Sequence, residues 1–281
     1  MSDGLKNPFW RIVVNLLLIV WAIMVLYPLV WTVLGSLKDN QQFFQGKPWN
    51  LPQFPLLFSN FSYVWDKYQF GSYFMNSIIV TVVSVLAGLV LSAMTAYILA
   101  RFAFKGSGVL YYVYIASMMI PMFLGMIPLF FLMSDMGLTN SLLGLIIVYT
   151  VSTIPFSVFV LVGFFKTLPS EIEEAAMMDG ASYYGIFFRI MMPLAKPGLI
   201  SVSIINVLNT WNEYILGVVL NSEPSKYTLP VGIAVMQGEM QYRTEWGPLF
   251  AALLISMVPV MIFYLIFQRQ IASGITAGAV K

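Results

Sequence analysis

Few residues in this chain can do chemistry, and they gather in three places. The first surrounds Glu213, a carboxylate in an otherwise apolar stretch, with Asn206, Asn209 and Thr210 before it and Trp211, Asn212 and Tyr214 beside it. Amide, hydroxyl and carboxylate groups next to planar aromatics suit a sugar, whose ring faces stack while its hydroxyls find donors and acceptors. With Ser203 and Gly217, the polar residues recur at helical spacing, which predicts one polar side of a single helix as a solute pathway. Glu213 itself has two readings, because burying an ionisable group in lipid is costly unless it is paired. A tie between helices is preferred to direct substrate contact. The second place is the acidic group Glu171, Glu173 and Glu174 with Asp179-Gly180 after it, and the third is the polar run from Gln237, Gly238, Glu239 and Met240 to Gln241 and Tyr242.

Other chemistries are excluded by composition. The chain has no His and no Cys, which removes imidazole catalysis, thiol nucleophiles, disulfides and the usual structural zinc sets. Gly46-Lys47 is followed by Pro48, and no Gly-x4-Gly-Lys-[Ser/Thr] phosphate cradle occurs. The net charge of +2 gives no basic field for nucleic acid.

The elements that must position these residues are membrane helices. Of 281 residues, 59% are apolar and 9% charged, against roughly a quarter charged in a soluble domain. Spans need about 20 mostly apolar residues, since lipid offers the backbone no hydrogen-bond partner. Six stretches qualify, at 12–34, 73–100, 109–133, 142–165, 198–220 and 248–267. The expected fold is therefore an all-α integral membrane protein with six transmembrane helices. The first stretch is long for a signal-peptide core and is read as a retained helix. Placing both termini inside puts nine of the 14 Lys and Arg on the cytoplasmic side. Outside, 35–72 mixes proline with aromatic residues and is expected to lie along the membrane surface. Within the third and fourth spans, Pro121, Pro128 and Pro155 are candidate kinks, and Gly88 and Ser92 in the second permit close helix packing.

Segment 166–197 is then cytoplasmic and patterned. Ser170 and Glu173 have the spacing of a capping box, in which the glutamate reaches back to the cap, so a short helix should begin there. Its acidic first turn suits the positive end of the helix dipole. Asp179-Gly180 should stop it, with Gly180 able to take positive φ. A second helix should start near Ser182 and end at Pro193 and Pro197.

The whole string, Glu174-Ala175-Ala176, Asp179-Gly180-Ala181, Phe187, Ile190, Pro193 and Pro197, resembles the EAA loop of ABC-importer permease subunits. Ala96-Tyr97-Ile98-Leu99-Ala100-Arg101-Phe102 and the tail Gly274 to Lys281 resemble the carbohydrate branch of that family, which contains the second permease of the maltose transporter. Trp211-Asn212-Glu213-Tyr214 and Tyr227 to Gly232 are similar to it as well.

The resemblance implies a single transmembrane domain over 1–281, with 166–197 as its coupling loop. Glu174, Ala175, Ala176, Asp179, Gly180 and Ala181 would dock on an ATPase subunit through a helix at about 171–178. It implies half of the pathway of an ATP-driven oligosaccharide importer in the cytoplasmic membrane. Its partners would be a second homologous permease, two ATPase subunits that bind ATP and Mg, and an extracytoplasmic binding protein. By location, Gln237, Gly238, Glu239 and Met240 become candidate contacts with that binding protein. The chain would then carry no cofactor and no catalytic residue. The alternative is a self-contained channel or secondary carrier, which buried ion-coupling charges or inverted repeats would favour. A membrane-embedded enzyme lacks a visible nucleophile–base pair.

Overall fold

The structure, a computed structural model, describes residues 8–47, 49–240 and 245–279. Every regular element among them is helical: α1 (Pro8–Gly35), α2 (Asn40–Gln45), α3 (Ser59–Lys67), α4 (Phe70–Arg101), α5 (Ser107–Met119), α6 (Met122–Asp135), α7 (Leu142–Thr167), α8 (Glu171–Met178), α9 (Tyr183–Ile186), α10 (Met192–Leu194), α11 (Lys196–Trp211), α12 (Ile215–Leu220), α13 (Leu229–Glu239) and α14 (Trp246–Ala279). A π-helical turn over Phe187–Met191 joins α9 to α10. The helices α1, α4, α7 and α14 are each long and apolar enough to cross a membrane, and the total reaches six if each of two bent pairs is one span.

Two of the expected spans are interrupted. The stretch at 109–133 is two helices, α5 and α6, meeting at 102°, with Pro121 at the break in extended conformation. Proline lacks the amide that would continue the helix, and it pushes the residue before it towards extended backbone. Ile120 has φ −83° and ψ 118°. Pro128 and Pro155, also candidate kinks, lie inside α6 and α7. The stretch at 198–220 is α11 and α12 separated at Asn212–Tyr214. The loop's second helix runs to Leu194, past Pro193, and meets α11 at 74°, with Pro197 in the first turn of α11, where its missing amide costs nothing.

The chain divides into two compact units, one of Met1–Phe70 and Ile233–Val258, the other of Gly71–Gly232 and Pro259–Lys281. In the first, α1 is apolar all round and its only buried residue is Gly35. A Cβ at Gly35 would stand 2.9 Å from the Phe250 ring, so only glycine fits there. Asn60 clamps the following turn by donating to the carbonyls of Ser36 and Lys38, at 2.8 and 3.0 Å.

Two apolar cores of the second unit lie among the described residues. One gathers Ala93, Ala96 and Tyr97 of α4, Val158, Leu161 and Phe165 of α7, Ala176 of α8, Phe187 and Met191 of the π turn, and Val202 of α11. The other gathers Val80 of α4, Met133 of α6, Leu145, Val148 and Tyr149 of α7, and Leu216 and Leu220 of α12. Close approach of α4 and α7 depends on Gly88, where a Cβ would lie 2.2 Å from Thr153 Oγ1, with Ser92 fully buried one turn on.

Candidate functional site

The segment around α8 is built on the first of these cores. The helix spans Glu171–Met178 and ends in paired backbone bonds, Ala181 N to Ala176 O and Gly180 N to Met177 O, both 3.0 Å, with Gly180 at φ +76°. That is a Schellman ending, and it needs a residue without a Cβ at the left-handed position. Ser182 then caps α9 by accepting from Gly185 N at 3.2 Å.

The two faces of α8 differ. Glu173 and Ala176 are buried, one turn apart, so the second alanine of the string is a packing residue. Glu174, Ala175, Asp179, Gly180 and Ala181 are exposed, and with them Glu171 and Met178, the latter 88% exposed. Sequence reading missed Met178 as part of this face. Its signal was an apolar residue one position before the Asp-Gly stop, where nothing in the loop is left to cover it.

The expected capping box does not form. Ser170 makes no side-chain cap bond, and Glu173 turns inward instead. Its Oε1 lies 2.7 Å from Arg101 Nε at the end of α4, with both side chains about nine-tenths buried. Tyr97 Oη donates to its other oxygen at 3.4 Å, and an Arg101 NH2 group donates to the carbonyl of Leu168 at 2.6 Å. A buried guanidinium at this distance offers a full opposite charge, more than a single cap amide can supply. Arg101 and Tyr97 belong to the Ala-Tyr-Ile-Leu-Ala-Arg string, so two motifs distant in sequence meet here.

The residues around Glu213 sit on the second core and at a break in the backbone. The helix α11 ends at Trp211, and the amides of α12 begin without partners. Glu213 supplies them: Leu216 N donates to Oε1 at 2.8 Å and Gly217 N to Oε2 at 3.3 Å. Tyr149 Oη of α7 donates to Oε2 as well. Both oxygens are therefore engaged within the protein. This is how a helix is interrupted at membrane depth without leaving orphan backbone groups.

The polar residues before it do not share one side. Asn206 is 2% exposed and donates to Ser157 Oγ at 2.8 Å, and Thr210 is buried too. Asn209 and Tyr214 are exposed. Trp211 lines an apolar cleft of about 190 Å³ with Ile78, Val82, Val207, Pro259 and Phe263, its ring edge-on to Phe74 at 6.2 Å. Interruption of the helix at Asn212 takes Glu213 and Tyr214 out of α11, while within α11 Asn206 and Thr210 are buried and Asn209 is exposed.

In the first unit, the expected polar loop at 237–240 is partly helical. Gln237, Gly238 and Glu239 form the exposed end of α13, and Met240 N bonds back to Met236 O and Gln237 O. Glu239 accepts from Tyr68 Oη at 3.0 Å. Nearby, Tyr63 Oη donates to both oxygens of Glu245, at 2.9 and 2.8 Å, and Lys67 Nζ stands 3.7 Å from Glu245. Burial and then the Glu239 hydrogen bond push the Tyr68 phenol from 10.0 to about 12. Lys67 is also raised, first by its hydrogen bond with Tyr63. Gln241 and Tyr242 lie outside the described residues, as do Val280 and Lys281 of the C-terminal string. Among the described residues no group of three His, Cys, Asp or Glu could hold a metal ion.

Residues 88–277 match the family of binding-protein-dependent transport system inner membrane components. The chain belongs to this family. It is 39% identical over 94% of its length to the diacetylchitobiose uptake system permease NgcG of Streptomyces coelicolor, covering 87% of that protein. It is 32% identical to the trehalose transport system permease SugB of Mycobacterium tuberculosis, over 99% of both. A chain in the crystal structure of a bacterial ABC transporter that imports the acidic polysaccharide alginate is 26% identical with a TM-score of 0.81, over 96% of this chain and 98% of that one. The protein is thus an ABC-importer permease of the inner membrane, crossing it several times, and its relatives are transporter subunits rather than enzymes.

Proposed function

We propose that this chain is one of two homologous permease subunits of an ATP-driven, binding-protein-dependent carbohydrate importer, and that its substrate is an oligosaccharide. The chain 1–281 acts as one transmembrane domain with both termini in the cytoplasm. Segment 166–197 projects on the same side, where the outward face of α8, with Glu174, Ala175, Asp179, Gly180 and Ala181, seats on an ATPase subunit that binds ATP and Mg. Two such subunits serve the pair of permeases. Closure of the ATPase pair moves α8 as a body, and the spans alternate their access in response. Outside, the exposed end of α13 with Gln237, Gly238, Glu239 and Met240 meets the solute-binding protein.

The observation that carries this reading is α8 itself. A short helix pinned by one buried face and a left-handed glycine leaves a preformed, exposed surface of acidic and small residues with two large apolar side chains, Met177 and Met178. A small hydrophobic anchor rimmed by polar groups suits docking in a cleft of another protein. The relatives' sugars, diacetylchitobiose and trehalose, support the substrate class. Asn206, Asn209, Thr210, Trp211, Glu213 and Tyr214 keep a place in the pathway region as its framework, with exposed Asn209 and Tyr214 as the residues free to meet solute.

Isolation of the chain from its native membrane in mild detergent tests this. A second permease and an ATPase should co-purify, and hydrolysis should rise when the binding protein and its sugar are added. Recovery of the chain alone, with solute flux when it is reconstituted by itself, would establish the self-contained carrier instead.

A further inference from the structure

We infer that Arg101 is a positioning residue for coupling, and that through it α4 is the span that moves with α8. The inference rests on the reading of α8 as the helix that docks on the ATPase. Arg101 is the last residue of α4 and holds two points that flank the start of α8. Its Nε meets Glu173 Oε1 at 2.7 Å, within α8, and an NH2 group donates to Leu168 O at 2.6 Å, just after α7 ends. One side chain therefore grips the turn between α7 and α8 from both ends.

Three features make this a mechanical joint rather than a surface contact. The pair is about nine-tenths buried on both sides, so separation would leave an uncompensated charge in a low-dielectric setting, and the two helices resist being pulled apart. Glu173 has left the local capping geometry that its spacing with Ser170 offers, although Glu171 and Glu174 in the same turn stay exposed. Tyr97, one turn before Arg101, adds a hydrogen bond to the same carboxylate and packs on Phe165 and Phe187, with ring centroids 5.7 and 5.2 Å away. Charge and hydrogen bonding join α8 to α4 at one place, in addition to the packing of Ala176 in the core it shares with α7. A lysine at 101 would keep the charge but not the fork that reaches both points.

The test uses the assembled importer, with the ATPase as the source of motion and no transported solute required. Because the chain has no cysteine, an environment-sensitive fluorophore can be attached at Met177→Cys on α8 or, in a second preparation, at Leu86→Cys on α4. ATP with Mg is added to a complex carrying a hydrolysis-deficient ATPase. With Arg101 present, both positions should respond. With Arg101→Ala the response at 177 should persist and that at 86 should be lost. Arg101→Lys is read in the same way and carries the test where the alanine variant does not assemble. A full response at 86 in complexes lacking the arginine would overturn the inference. No response at 177 with Arg101 present would instead overturn the docking role of α8.

Discussion

Glu173 and Glu213 are both carboxylates drawn inside the second unit, but they rest on different supports. Glu173 meets a guanidinium on another helix, far upstream in the chain. Glu213 meets the amides of the turn that follows it, together with the phenol of Tyr149. A charge pair between elements ties bodies that can otherwise separate. A carboxylate over its own next turn fixes a bend and asks nothing of distant helices except one hydroxyl. The loop end of the unit is thus built to transmit displacement, and the break between α11 and α12 is built to hold its shape.

That contrast can be broken by substitution, and the largest effect should come from the ion pair. Glu173→Ala leaves Arg101 buried and unpaired, a loss of about 3–5 kcal/mol, read as a lower melting temperature of the purified complex. Adding Arg101→Leu should recover much of it. A single variant that melts like the parent would remove the distinction between the two carboxylates.

Gly180→Val acts on the same loop without touching the pair. A β-branched residue at φ +76° costs about 1–3 kcal/mol, which the loop relieves by re-aiming Asp179 and Ala181. Uptake per assembled complex should fall about tenfold or more, since 1.4 kcal/mol is already tenfold in an equilibrium. Normal uptake by a fully assembled variant would count against coupling through this turn.

At the other carboxylate, Glu213→Ala should cost about 1–3 kcal/mol through unsatisfied amides, again by thermal unfolding. Glu213→Gln should cost less, because its amide oxygen still accepts from Leu216 N. Equal losses would mean that the charge, rather than the cap, is what the bend needs.

The smallest effect belongs to the first unit, where Tyr63, Lys67, Tyr68, Glu239 and Glu245 form a cluster nearer solvent. Tyr68, raised from 10.0 to about 12, holds its proton longer in the folded chain than in the unfolded one. Its contribution is fully present below pH 10.0 and is lost as pH rises towards about 12. Lys67, raised as well, has the same sign. Its ion pair is 43% exposed on the lysine side and is worth under about 1 kcal/mol. Thermal unfolding across alkaline pH should show this limb, and Tyr68→Phe should flatten it.

The elements legible in sequence were those set by hydropathy and local stop signals. The long helices α1, α4, α7 and α14 fall where apolar length places them, and α8 spans Glu171–Met178 because an acidic first turn and an Asp-Gly ending both mark it. Bends were not legible, because hydropathy averages over them and lipid-facing side chains look alike on either side. Ile120-Pro121 could have signalled the α5–α6 turn, since proline excludes helical backbone before it. The break at Asn212–Tyr214 hid behind apparent helical spacing, for a side chain that caps freed amides has the same sequence signature as one that faces a pathway. The capping box failed for a related reason: local spacing carries no information about Arg101, which lies on another helix.

The most direct test of the docking role of α8 is photo-cross-linking from position 178 in intact native membranes, followed by identification of the product. A benzophenone side chain there should join this chain to the ATP-hydrolysing subunit, and the yield should change when nucleotide is added. Adducts only with lipid, or only within the chain, would contradict a docking role for α8.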